Sequence, residues 1–263
     1  MLMIRKYSTS KQYNNLQPSG PLPKDWIVGF TDAEGCFSIT ISVEKGRAPK
    51  VGHIFEINLN AADADILYKV RDFFRVGNVN AHSDGSIRYT VQGKADLINV
   101  IIPFFTENPL ITDKWADFQL WSTVIQKLSQ SRPPQSELNE MLTYYAAINR
   151  GMSKKNAERF PGVIPQVRPT RSSLPEIKPE WVSGFMAGDG HFRVWYRTDT
   201  RAYAYTVDCT QHSRDADVLQ AIIQFLGCGG FYPRSSEPRA DVKIQKLELI
   251  YDFILPHFSK YPL

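Results

Sequence analysis

Two twelve-residue stretches constrain this chain more than anything else in it. One runs Trp26-Ile-Val-Gly-Phe-Thr-Asp-Ala-Glu-Gly-Cys-Phe37, the other Trp181-Val-Ser-Gly-Phe-Met-Ala-Gly-Asp-Gly-His-Phe192. Each opens on an apolar run and closes on an acid followed by glycine. Small residues stand four apart, at Gly29 and Ala33 in the first and at Gly184 and Gly188 in the second. That spacing puts them on one helix face, so two such helices can pack with their backbones unusually close. Gly35 and Gly190 are expected to end the helices in the left-handed conformation. Glu34 and Asp189 then sit side by side at two helix C-termini. Neighbouring carboxylates need a cation or a shared proton, and oxygen ligands at the negative end of a helix dipole suit Mg²⁺ or Ca²⁺.

The rest of the chain repeats around these stretches. Ser38 to Val43 alternates polar and apolar residues like a strand with one wet face, Gly46 to Lys50 reads as a turn, and His53 to Asn60 as the returning strand. Asp63 caps a helix running through Phe74, and a second hairpin follows, from Asn78 to His82 and from Ile87 to Gln92, turning at Asp84-Gly85. A short helix from Lys94 to Phe105 and an amphipathic one from Lys114 to about Leu128 complete the unit. Trp181 stands 155 residues after Trp26, Asp215-Ala-Asp-Val-Leu219 stands 152 after Asp63-Ala-Asp-Ile-Leu67, and Pro262 stands 153 after Pro109. Three landmarks in step mark a tandem duplication.

Both stretches resemble the motif that names the LAGLIDADG homing endonucleases, with Ile27 to Gly35 and Val182 to Gly190 in register with its nine letters. The resemblance implies an α+β fold: a pseudo-twofold duplication of an α-β-β-α-β-β-α unit, each half a saddle-shaped antiparallel sheet with helices on its other face. It divides the chain into a basic tail or presequence (1–20), an N-terminal half (21–128), a linker (129–179) and a C-terminal half (180–263). The eighth letter, which binds metal in that family, is Glu34 in one copy and Asp189 in the other. The sixth, Asp32 and Ala187, is not a ligand. By the same resemblance Lys114 is a basic group in one pocket, while Gln211 positions water in the other with Arg214 beside it. Their first-half counterparts, Leu59 and Ala62, are apolar. Relatives carry the last helix in both halves. Here the second half stops at Leu263, which leaves apolar surface for the linker or a partner to cover.

One face of each sheet is polar. It carries Ser38, Thr40 and Ser42 in the first half, and His191, Arg193, Trp195 and Arg197 in the second. The return strands add Glu56, Asn58, Thr206 and Asp208, and the outer hairpins add Asn78, Asn80, His82, Arg88, Tyr232, Arg234 and Lys243. These side chains are of the types that read base edges, and two-stranded ribbons fit the major groove. Arg47, Lys50, Arg201 and Arg239, near turns, suit phosphates. Any one of them is more often part of an ordinary solvated sheet; together, beside two acids, they read as a DNA face.

Composition excludes little. A net charge of +4 fits a DNA binder with segregated charges, and many other proteins. Cys36, Cys209 and Cys228 have neither zinc-like spacing nor an even count, the pattern of thiols in a reducing compartment. No apolar run reaches the roughly 18 residues that span a bilayer. Residues 1–24 hold Arg5, Lys6, Lys11 and Lys24 and no acid, the composition of a mitochondrial presequence and equally of a disordered or exon-encoded basic tail. Localisation in the mitochondrial matrix is expected.

The leading expectation is a monomeric, Mg²⁺-dependent endonuclease cutting a long asymmetric site in double-stranded DNA, with Ca²⁺ supporting binding but not cleavage. The alternative is a non-cleaving nucleic-acid-binding protein, such as an intron RNA maturase or a structural component. A small-substrate acid–base enzyme fits less well, because no nucleophile or cofactor signature accompanies the two acids.

Overall fold

The computed structural model describes residues 20–42, 50–130 and 138–263. One series of elements occurs twice. In the first half α1 (Lys24–Glu34) leads into β1 (Gly35–Ser42) and β2 (Lys50–Asn60), then α2 (Ala64–Phe74), β3 (Asn78–Ala81) and β4 (Ser86–Val91). A compound helix of α3 (Lys94–Asp96), a π-helical turn (Leu97–Ile101) and α4 (Ile102–Glu107) precedes α5 (Lys114–Gln130). In the linker lie α6 (Leu138–Ala147) and α7 (Lys154–Arg159). The second half then runs α8 (Pro179–Asp189), β5 (Gly190–Arg197), β6 (Ala202–His212), α9 (Ala216–Leu226), β7 (Gly230–Pro233) and β8 (Arg239–Ile244). It ends in α10 (Leu247–Leu249), a π-helical turn (Ile250–Ile254) and α11 (Leu255–Lys260). The sheets have matching antiparallel orders, β1-β2-β4-β3 and β5-β6-β8-β7.

The local chemistry explains most boundaries. Each compound helix widens into a π-turn just before a proline, Pro103 or Pro256, which has no N–H and whose ring crowds the carbonyl four residues back. The expected cap by Asp63 takes another form. Asp63 precedes α2 without a side-chain capping bond, and Asn60 instead accepts from Ala62 N at the start of a 3-10 turn over Ala61–Asp63. The expected turn over Gly46–Lys50 lies almost wholly outside the described residues, as does Arg47.

The two glycine-bearing helices pack against each other, and their contact is symmetric. A Cβ on Gly29 would lie 2.0 Å from the carbonyl oxygen of Trp181, and one on Gly184 2.0 Å from that of Trp26. Gly188 faces Ala33, where a Cβ would lie 2.5 Å from that of Ala33. Gly35 and Gly190 depart from expectation: their φ angles are −70° and −82°, extended rather than left-handed. The chain passes straight from helix into strand, and glycine is needed because a Cβ would meet Thr31 or Met186 carbonyl oxygen at 2.7 or 2.3 Å.

Behind the first sheet, Phe37 packs on Phe55, Phe105, Phe118 and Trp121 with ring centroids 5.0–5.6 Å apart. Helix α5 thus covers Phe37, and Ile39 and Ile41 further along β1 are buried as well. On β5 the equivalent residues Phe192 and Val194 are 45% and 65% exposed, whereas α6 of the linker packs on α5 and β1.

Candidate active site and nucleic-acid face

Glu34 and Asp189 are the last residues of α1 and α8. The close helix packing brings them together: a Cβ on Gly188 would lie 2.9 Å from Glu34 Cγ and 3.4 Å from its Oε1. Burial raises both carboxyls above their ordinary range. For Asp189 the value is about 6, with the negative charge of Glu34 the next cause and Lys114 opposing it. For Glu34, Lys114 lowers and Asp63 further raises it. Gln211 Nε2 donates to Asp189 Oδ2 at 2.5 Å, while Leu59 at the same place in the first half lines an open cleft beside Glu34 with Asn58, Asn60, Asp63 and Ser86.

The pair fits a hard divalent cation. Among the described residues no group of three or more His, Cys, Asp or Glu is placed to hold a metal ion. Mg²⁺ commonly binds through one or two carboxylates, completing its shell with water and phosphate oxygens. A cation there would also offset the repulsion that pushes Asp189 up.

Lys114, the first residue of α5, reaches beneath the acids. Its Nζ donates to the carbonyls of Thr31 (3.0 Å) and Ala33 (3.1 Å) in the last turn of α1. Burial pushes its pKa down, and the charges of Asp32 and Asp189 pull it back up. The segment leading into it is held from three directions. Asp32 accepts from Ile111 N, Thr112 N and Thr112 Oγ1 at 2.6–3.1 Å. Asp215, from the second half, accepts from Asp113 N at 2.6 Å. Arg168, from the linker, donates to Asp113 Oδ2 (2.6 Å) and Asp117 Oδ1 (2.5 Å), and Arg171 donates to the Leu110 and Ile111 carbonyls. Sequence reasoning missed this network. Asp215 reads as a helix cap, and nothing but the basic composition of the linker points to Arg168. Arg214, expected beside Gln211, forms an ion pair with Asp113 of the first half at 3.2 Å.

The other expected residues divide between the two sheets. Strand pairing places Ser38, Thr40, Ser42, Lys50, Asn58, Arg88, Asn78 and Asn80 on one face of the first, with His82 just past β3. Arg88 contacts Asp84 at 3.4 Å. On the second sheet, the face with Arg193, Trp195, Arg197, Tyr232 and Lys243 carries three buried polar residues, Thr206, Asp208 and Asp241. Asp208 holds Arg193 at 2.5 Å, and Asp241 holds Arg234 at 2.7 Å and Lys243 at 3.0 Å. Arg197 lies 3.6 Å from Asp199, Arg239 lies 3.7 Å from Glu237, and Arg201 sits in the turn at φ 52°.

Comparison with known proteins agrees with this geometry. The profile of the family described as LAGLIDADG endonuclease matches residues 27–125 and 182–263. "Probable intron-encoded endonuclease 2" of Neurospora crassa is 29% identical over 279 residues, covering 97% of this chain and 58% of the relative. "Probable intron-encoded endonuclease 3" of the same fungus is 26% identical, covering 98% and 49%. The chain thus spans about half the length of these curated relatives. Among solved structures, the homing endonuclease I-GzeII in complex with its DNA target is 32% identical, with a TM-score of 0.85 over 92% of this chain and 84% of that one. I-SmaMI bound to cleaved DNA is 27% identical, with a TM-score of 0.87 over 93% and 84%. I-SmaMI bound to uncleaved target with calcium ions matches at 27% and 0.86 over 92% and 85%.

Proposed function

The chain belongs to the LAGLIDADG endonuclease family, and from that premise we propose that it is a site-specific, metal-dependent endonuclease of double-stranded DNA. The observation that carries the reading is the carboxylate pair: Glu34 and Asp189, 155 residues apart in sequence, meet at the ends of two helices locked by Gly29 and Gly184. Two acids of unequal surroundings, one against Leu59 and one against Gln211, suit two strands of an asymmetric target. Glu34 and Asp189 would hold Mg²⁺, one carboxylate for each strand's phosphodiester. When bound, it polarises the scissile phosphate and makes hydroxide accessible near neutral pH.

The chain's own groups do the positioning. Gln211 fixes the orientation of Asp189. Lys114, anchored on two α1 carbonyls, keeps a positive charge beneath both acids, favours their ionised forms, and stands ready to stabilise a leaving oxygen. The polar faces of both sheets supply the base and phosphate contacts, and one chain furnishes both halves, so the working unit is a monomer. Its relatives are fungal and named as intron-encoded, so we assign it to the mitochondrion as an intron product.

The test is selection from a randomised duplex pool with Mg²⁺, and with Ca²⁺ as the binding-only control. A single long enriched site, cut in Mg²⁺ and bound uncut in Ca²⁺, is the expected result. Glu34→Gln and Asp189→Asn should each abolish double-strand cleavage and leave binding. If no duplex is enriched and structured RNA binds instead, the protein is an RNA-binding relative and the nuclease assignment fails.

A further inference from the structure

Asp241 is one of two carboxylates buried on the polar face of the second sheet. Asp241, on β8, lies opposite Tyr232 of β7 and Thr210 of β6, and its side chain is only 3% exposed. A carboxylate is kept out of water only where it is saturated with donors. Here Thr210 Oγ1 donates at 2.6 Å, Lys243 Nζ lies at 3.0 Å, and Arg234 donates through Nε at 3.1 Å and Nη2 at 2.7 Å. The two Arg234 bonds run side-on, so the guanidinium plane is fixed, and its far edge, Nη1 with the second Nη2 hydrogen, meets only two long contacts, Nη2 to Thr210 Oγ1 at 3.3 Å and Nη1 to the half-exposed Glu237 at 3.7 Å, both of which a base can displace. Arg234 is itself 38% exposed.

A fixed guanidinium edge with two parallel N–H groups matches the O6 and N7 acceptors of guanine in the major groove. A phosphate contact has no use for such fixing, since a mobile side chain serves as well and carries no sequence information. The repeat sharpens the point. Arg88 occupies the place of Asp241 in the first half, 153 residues earlier, His82 that of Arg234, and Asn58 that of Thr210. The first half therefore has no acid-backed arginine at this place.

We propose that Arg234, aimed by Asp241, reads a guanine in the part of the DNA target covered by the second half of the chain. This rests on the nuclease reading above, and names one base class of its substrate.

The unaltered protein and its Arg234→Gln, Asp241→Asn and Arg239→Gln variants would each be used in Ca²⁺ to select from a randomised duplex pool. The unaltered protein should show a strong guanine preference at one position that Arg234→Gln reduces about 5- to 150-fold, the range of one bidentate base contact. Glutamine fits adenine, so the preference should move toward adenine there and nowhere else. Asp241→Asn should weaken the guanine preference without changing which base is best. Arg239→Gln should lower affinity for all sequences alike. If selective binding persists and the Arg234→Gln profile superimposes on that of the unaltered protein, Arg234 does not read a base and this inference is wrong while the nuclease reading stands. Failure of the unaltered protein to enrich any duplex overturns both.

Discussion

The indole N–H of Trp181 donates to Asp32 Oδ2 at 2.8 Å, across 149 residues and from one half of the chain to the other. The symmetric bond is missing. Ala187 stands at the position that repeats Asp32, and the Trp26 indole N–H is buried with no partner among the described residues. One half thus carries a satisfied cross-helix bond and the other an orphaned donor. A buried donor with no acceptor costs about 1–3 kcal/mol, whereas removing it together with its polarity is close to neutral. Trp181→Phe should therefore destabilise the fold by about 1–3 kcal/mol, with Trp26→Phe costing markedly less. Urea unfolding of the two variants side by side checks this. Equal losses would mean that the Asp32 bond contributes nothing.

Gly29 and Gly184 leave no room for a methyl group. Alanine at either would put a Cβ 2.0 Å from a backbone carbonyl of the opposite helix, and only separation of α1 and α8 relieves that. Gly29→Ala and Gly184→Ala should each cost about 3 kcal/mol or more. Any folded fraction should cleave poorly, because Glu34 and Asp189 ride on the displaced ends. Gly20→Ala, with nothing within 4 Å of its Cβ, is the neutral control. A Gly29→Ala protein of unchanged midpoint would contradict the packing.

On the proposed nuclease reading, Arg168 should act on the reaction through Lys114. It binds Asp113 and Asp117 on either side of that lysine, so Arg168→Met should let the start of α5 drift. The cleavage rate should fall about tenfold or more, with DNA binding in Ca²⁺ intact. Lys114→Met alone should cost about 10²–10⁴-fold. In the double variant the Arg168 change should add little. Full additivity of the two losses in kcat would show that Arg168 works elsewhere.

Much of this was legible in the sequence, for identifiable reasons. The duplication, the sheet faces and the acid pair follow from local patterns repeated in register: alternation by two, small residues by four, and an acid before glycine. Gly35 and Gly190 were placed correctly and explained wrongly, because a helix can run directly into a strand and glycine is then needed for space rather than for positive φ. Asp32 reads as a bystander in the motif, yet it is a buried acceptor tying α1 to Thr112 and Trp181. Its partners lie 79 to 149 residues away, and no periodicity reports such contacts. The same holds for Arg168 with Asp113. For Arg193, strand alternation already put Asp208 on the same face, whereas only the fold showed Asp241 beneath Arg234.

Asp215 gives the stability a definite pH dependence. Burial, with the charges of Asp113 and Asp32, raises its carboxyl from 3.8 to about 6, against the Asp113 N–H and Arg214, which lower it. Between those two values the folded chain keeps a proton that the unfolded chain has released. The folded state then binds more protons, so stability must fall as pH rises through that window and level off above it. The full drop is on the order of 3 kcal/mol, of which about 2 falls between pH 4.5 and pH 7.5. Asp215→Asn keeps an acceptor oxygen for Asp113 N–H and removes the titration. Relative to the parent it should be more stable at pH 7.5 than at pH 4.5 by roughly that amount. Taking the difference between parent and variant cancels the other raised acids, Asp189, Glu34 and Asp32, which titrate in both proteins. Urea midpoints measured across this range decide it. A parent–variant difference that stays flat, or that grows toward acid, would mean that Asp215 is ionised in the folded protein throughout and that its bond to the segment before Lys114 is a charged one.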